Sequence, residues 1–154
     1  MTLATARAWL AEHAPELSII DQGRSTATVA EAADALGVEP GRIAKTLALR
    51  LGKRVVLLVT RGDARLDNAK CKAAFGDRPR MLTPDEALAV TGHPVGGVCP
   101  FGLATALPVY LDRSLEPFDT VYPAAGSLTS SVCLNPARLF ELVASDWVDV
   151  CRLA

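Results

Sequence analysis

Between Gly92 and Gly102 the chain reads Gly-His-Pro-Val-Gly-Gly-Val-Cys-Pro-Phe-Gly, four glycines and two prolines in eleven positions. That density of special backbone positions suits neither helix nor strand. Gly96 and Gly97 carry no Cβ, so their amides can approach a ligand closely, and Pro94 and Pro100 stiffen the flanks. Such a loop is either an ordinary turn after a helix or a set of fixed N–H donors for a carbonyl oxygen that gains charge. Lys45 stands between Ala44 and Thr46 in an otherwise apolar neighbourhood. A lysine there either snorkels from a strand end or aims its ammonium into a cleft. Asp63, after Gly62, is a turn residue or a partner for a cation. Cys99 and His93 lie six residues apart around the loop and are conceivable as nucleophile and base, although a free cysteine is more often a small buried hydrophobe.

Other chemistries lack their residues. No G-x-x-x-x-G-K-[ST] occurs and the glycine-rich loop follows a helix, so neither a P-loop nor a dinucleotide fingerprint fits. The two histidines, His13 and His93, have no metal-ligand spacing, and no metal or cofactor is expected. No G-x-S-x-G elbow presents a serine. The cysteines, Cys71, Cys99, Cys133 and Cys151, form neither a C-x-x-C pair nor a disulfide framework, and reduced thiols are expected.

The elements that must position these residues can be read in outline. Leu3, Ala6, Leu10 and Ala14 mark a first helix over Thr2–Ala14, ended by Pro15. Leu17–Ile20 reads as a short strand. Thr28-Val-Ala-Glu31 has capping-box spacing and opens a helix that stops at Gly37. From Arg42 two β-rich runs, Thr46–Leu51 and Val55–Thr60, flank Gly52-Lys53 as a hairpin, and Val55–Val59 should be a central strand covered on both faces. Leu66–Phe75 is helical with Asp67 as its cap, and Thr83-Pro-Asp-Glu86 opens a helix to about Val90 that runs into the glycine-rich loop. Pro108–Asp112, Thr120–Pro123 and Thr129–Leu134 are β-like, Asn135-Pro136 caps a further helix, and Trp147–Cys151 reads as a last strand. The inventory predicts one mixed α/β (α+β) domain over residues 1–154.

A net charge of −1 and a pI near 6.1 exclude a pervasive positive field for duplex nucleic acid, so any such contact must be local. The N-terminus does not read as a signal peptide and no apolar run approaches the ~20 residues of a membrane span. A cytoplasmic location is expected, with no membrane partner.

Ile43-Ala-Lys-Thr-Leu47, the Gly62-Asp63 turn and Val95-Gly-Gly-Val-Cys-Pro-Phe-Gly102, at this spacing, resemble the YbaK/EbsC family, also called the prolyl-tRNA synthetase-associated editing domain. The similarity runs from about Ser25 to Val143. It implies a central mixed, largely antiparallel curved sheet surrounded by helices. It also implies a freestanding trans-editing deacylase that hydrolyses the ester of a mischarged tRNA carrying a small amino acid, commonly on tRNA for proline, without metal or nucleotide. The resemblance assigns catalysis to Lys45, which engages the terminal phosphate or orients the ester, and to Gly96 and Gly97. The substrate is then held by Thr46, Asp63, Val98, Cys99, Pro100 and Phe101. The partner is the 3′ acceptor end of an aminoacyl-tRNA, met by a small basic patch of Arg42, Lys45, Arg50 and Lys70, and an aminoacyl-tRNA synthetase is a further candidate partner. Cys99 stands where other members carry serine, and Gly126–Ser131 lacks a glycine-arginine pattern of some relatives, which leaves the amino-acid specificity open. The alternative is a non-catalytic module of the same fold that binds tRNA or a synthetase. The sequence leaves monomer and homodimer open.

Overall fold

Side chains that cap helix ends set most of the boundaries. The computed structural model describes residues 3–153. Helix α1 spans Leu3–His13, and the expected start at Thr2 lies outside the described residues. Strand β1 is Ile19–Asp21 and helix α2 is Val29–Leu36. Thr28 Oγ1 accepts from the Glu31 amide at the start of α2, and Gly37 closes it with φ of 69°. Strands β2 (Ile43–Leu51) and β3 (Arg54–Arg61) form the expected hairpin around Gly52-Lys53. Strand β4 (Ala64–Leu66) precedes helix α3 (Asn68–Phe75), so Leu66 is a strand residue and Asp67 the helix cap. After β5 (Arg80–Met81) comes α4 (Pro84–Thr91), which opens with a complete Thr83–Glu86 capping box. Strands β6 (Val109–Asp112), β7 (Tyr122–Pro123) and β8 (Ser130–Val132) follow, then α5 (Pro136–Val143) capped by Asn135.

The expected last strand, Trp147–Cys151, is divided into β9 (Asp146–Val148) and β10 (Cys151–Leu153). Val150 between them is held from two sides: its N–H donates to Asp112 Oδ1 at 2.8 Å and its carbonyl accepts from the Asp67 amide at 2.9 Å. The chain therefore leaves one sheet at Val148 and joins another at Cys151.

The main sheet runs β5-β2-β3-β6-β9, with β7 also on β2. Its antiparallel share is carried by the long β2–β3 hairpin and by β5, whereas β7, β6 and β9 all pair in parallel. Strand β3 is central, as its composition requires. Leu57 and Val59 enter the larger apolar cluster with Leu111, Phe101 and Leu139, while Val56 and Leu58 enter a second one with Leu49, Cys71 and Cys151. Two small antiparallel ribbons, β1–β8 and β4–β10, flank the sheet. Among the described residues no helix is long and apolar enough to cross a membrane.

Candidate functional site

The site begins with a gap along one edge of β2. Strand β7 pairs only with Ile43 and Ala44, and β5 begins only at Leu49. Pro123, which has no N–H, ends the β7 side of the ladder. At this edge the Ala48 carbonyl accepts from the Leu82 amide at 3.1 Å. Backbone groups two residues apart face the same edge, so the N–H and C=O of Thr46 point into the gap. The Thr46 hydroxyl adds to them: Oγ1 is buried and, among the described residues, has no hydrogen-bond partner.

Across the gap lies the glycine-rich loop. A cleft of about 120 Å³ is lined by Lys45 and Thr46 on one side and by Gly96 and Val98 on the other. Its remaining wall comes from Thr26, Thr28, Tyr122 and Ser131 among others. Gly96 has φ of 95°, and a Cβ there would come within 2.8 Å of Leu128 Cδ2 and 2.9 Å of Ala27 Cβ. Glycine is therefore required both by the backbone and by the close approach of two neighbouring segments. The Gly97 amide, in contrast, donates to the Pro94 carbonyl at 2.8 Å and is spent inside the turn. Gly97 serves by closeness instead, lying against the Ser127 backbone where a Cβ would meet three atoms at 2.9 Å. Gly96 and Val98 are the loop residues that line the cleft, and among the described residues their amides have no acceptor.

The loop is pinned through its buried residues. His93 is fully buried, and its Nε2–H donates to the Phe101 carbonyl at 2.7 Å, so the ring bridges the two ends of the loop. Burial pushes the His93 pKa down and favours this neutral ring. Cys99 and Phe101 are fully buried and Pro100 is buried beside them. None of the three, all expected substrate contacts, is among the residues that line the cleft. Cys99 Sγ is 3.6 Å from His93 Nε2, but that nitrogen already donates its proton to Phe101, and burial pushes the thiol up to about 12. A thiol in this state is not a nucleophile at neutral pH.

Lys45 Nζ donates to the Ala64 carbonyl at 2.6 Å. Half-burial lowers its pKa, the Cys151 and Asp63 positions counter that, and the Arg65 guanidinium adds to it. Asp63 is exposed and is not part of the cleft wall; both carboxylate oxygens are taken by Arg61, at 2.5 and 2.9 Å. Three cations of the expected basic patch are ion-paired. Arg42 is paired with Asp119 at 2.6 Å, Arg50 with Glu86 at 3.2 Å and Lys70 with Asp149 at 3.0 Å. Of the other lining residues, Thr26 carries no signal in the sequence, Thr28 reads only as a helix cap, and Ser131 enters only as the end of the Gly126–Ser131 segment and as part of a β-like run. Among the described residues no group of three or more His, Cys, Asp and Glu could hold a metal ion.

Comparison with known proteins bears on this arrangement. A family model, the aminoacyl-tRNA editing domain, matches residues 24–142. YwhH, an uncharacterized protein of Bacillus subtilis (strain 168), is 46% identical over 154 residues, 99% of this chain and 98% of its own length. EbsC of Enterococcus faecalis, provisionally named a Cys-tRNA(Pro)/Cys-tRNA(Cys) deacylase, is 30% identical over 121 residues, 77% of this chain and 73% of its own. The crystal structure of a protein put forward as a trans-editing enzyme for prolyl-tRNA synthetase superposes with a TM-score of 0.90 at 32% identity, covering 97% of this chain and 96% of that one.

Proposed function

The chain belongs to the aminoacyl-tRNA editing domain family, and from that premise we propose that it is a trans-acting deacylase hydrolysing the ester of a mischarged tRNA. The observation that carries the reading is the unpaired edge of β2 at Thr46, facing Gly96 and Val98 of the glycine-rich loop across a cleft that Lys45 also lines. The cleft holds about 120 Å³, the space of roughly four waters at ~30 Å³ apiece, which suits a small amino acid.

In this reading the Gly96 or Val98 amide donates to the ester carbonyl oxygen as it gains charge. The Thr46 carbonyl is an acceptor for the substrate α-ammonium. Lys45 leaves the Ala64 carbonyl to place its ammonium at the terminal phosphate, a point charge on a flexible stem. Water adds to the ester carbon and the bond from that carbon to the ribose oxygen breaks. The water proton ends on the leaving ribose oxygen, by way of the neighbouring ribose hydroxyl. No side chain at the cleft is a strong base, and an adjacent hydroxyl of the substrate supplies the relay.

The test is a panel of tRNA for proline charged with alanine, cysteine, serine or threonine, with ester loss followed for wild type and Lys45→Ala. At least one ester is hydrolysed by wild type, and the variant is slower by about 10- to 150-fold, the value of one charged hydrogen bond. Saturable tRNA binding with no ester loss across the panel would assign the chain to the non-catalytic reading instead.

A further inference from the structure

Arg42, Arg50 and Lys70 each have a carboxylate partner within the fold, so an RNA contact is sought first among the cations that have none. Five arginines, Arg7, Arg54, Arg65, Arg78 and Arg152, form no ion pair among the described residues, and two of them stand together on paired strands. Arg65 on β4 and Arg152 on β10 are directly opposite in the antiparallel register, and both are exposed. Their neighbours Ala64 and Cys151 turn inward to the second apolar cluster, so both guanidinium groups stand on the outward face of the ribbon. Among the described residues neither makes an ion pair or a side-chain hydrogen bond, and the nearby carboxylates along the chain are engaged elsewhere: Asp63 by Arg61, Asp67 by the Lys70 amide and Asp149 by the Lys70 ammonium. Like charges directly opposite on paired strands, with Cβ atoms about 4.5–5.5 Å apart, destabilise a sheet. The arrangement becomes favourable when an anion sits between them, because each guanidinium offers a planar fork of donors to phosphate. Its place in the fold points to which anion. Arg65 directly follows Ala64, whose carbonyl holds the Lys45 ammonium at 2.6 Å, so the ribbon lies next to the residue assigned to the end of the RNA strand.

We propose that the β4–β10 ribbon is a phosphate clamp, in which Arg65 and Arg152 hold the sugar-phosphate backbone of the tRNA 3′ strand just before the nucleotide that enters the cleft. The clamp rests on the deacylase reading for the direction of the strand, and it recognises backbone charge without regard to base sequence.

The experiment measures binding of uncharged tRNA across a salt series together with steady-state deacylation of the ester that wild type hydrolyses. It uses wild type, R65S/R152S, R65K/R152K, and K53S/R54S as a control that removes equal charge from the distant hairpin turn. Each single-strand phosphate that an arginine neutralises adds about 0.7 to the slope of log K against log salt, so in R65S/R152S the slope falls by about 1.4. In the same variant KM rises about fivefold or more with kcat unchanged. R65K/R152K restores the slope, K53S/R54S behaves as wild type, and the melting temperature of R65S/R152S is equal to or above that of wild type. If R65S/R152S keeps the wild-type slope and KM while wild type deacylates, the clamp is wrong and the deacylase reading stands. An arginine-dependent slope without deacylation keeps the clamp and removes the enzyme. A wild type that binds no tRNA overturns both. Loss of binding to a polyglutamate probe with unchanged tRNA binding would reassign the arginines to an acidic protein surface and overturn the clamp.

Discussion

Replacing Thr46 with valine separates what the cleft costs from what it does. Thr46 Oγ1 is buried and finds no hydrogen-bond partner among the described residues, so folding takes the hydroxyl out of bulk water without a protein hydrogen bond in return. That loss is worth about 1–3 kcal/mol for a hydroxyl, and valine keeps the branched shape that β2 favours while removing the group that incurs it. Thr46→Val should therefore stabilise the chain by about 1.5 kcal/mol, which for a domain of this size raises Tm by about 3–6 °C. The same change removes a donor and acceptor from the wall of the cleft. If Oγ1 hydrogen-bonds the substrate, kcat/KM for the edited ester falls by about 2- to 12-fold, the value of one neutral hydrogen bond. Thr46→Ser is the counterpart: it keeps the hydroxyl, loses the methyl, melts lower and retains activity. Thermal melting followed by circular dichroism and a deacylation time course read both effects. A lower Tm for Thr46→Val would mean that the hydroxyl is satisfied in the folded chain, and the reasoning fails at its first step. A higher Tm with unchanged kcat/KM would remove Thr46 Oγ1 from substrate binding.

Two further expectations concern the loop and the helix that leads to it. Gly96→Ala forces a side chain to φ of 95° and against Ala27, whereas Gly76→Ala imposes a φ of 75° with nothing within 4 Å. Both should lose about 1–2 kcal/mol to backbone strain. Only Gly96→Ala should lose more than this and also lose deacylation, and equal melting of the two would show that the loop yields freely. Glu86 is held down from 4.5 to about 2, chiefly by the Thr83 amide and further by Arg50. A carboxylate with its folded pKa depressed stabilises fully above the unfolded value and loses that stabilisation as pH falls through the folded one. The Tm difference between wild type and Glu86→Gln should thus be level near neutrality, narrow below about 4.5 and vanish near about 2; a difference independent of pH would refute the assignment.

Local signals were legible because their causes are local. Thr28, Asp67, Thr83 and Asn135 all cap the helices they announce, and Gly37, Gly76 and Gly92 end them with positive φ. The apolar run in β3 likewise reports its own burial on both faces. What the sequence did not disclose depends on distant pairing. That β6 joins β3 in parallel, or that Val150 is tied to Asp112 and so divides the last strand, is decided by elements far apart in the chain. The site follows the same division. Lys45, Thr46, Gly96 and Val98 do meet at one cleft, but residue type alone could not tell a lining residue from a buried support such as Cys99 or Phe101. Nor could it show that Arg50 is already paired with Glu86 while, among the described residues, Arg65 forms no ion pair.

The two central residues of the site are consecutive and do different work because of strand geometry. Side chains alternate across a sheet, so Lys45 and Thr46 leave β2 on opposite faces. The Lys45 ammonium reaches Ala64, which belongs to the second apolar cluster, while Ala44 and Ala48, on the same face as Thr46, join the larger one. An interior position of the sheet could not bring both to one ligand. The open edge can, because backbone groups and both faces become accessible where no neighbouring strand is present. An unpaired edge is ordinarily a liability that folds cover or charge. Here the glycine-rich loop stands opposite it, fixed from below by His93, and its missing Cβ atoms allow it to come close without adding a strand. The edge is thus shielded from pairing with another chain and kept free to bind. Filling it should abolish both properties of the site at once: a side chain at position 96 must displace Ala27 or Leu128, and the Gly96 amide moves with it.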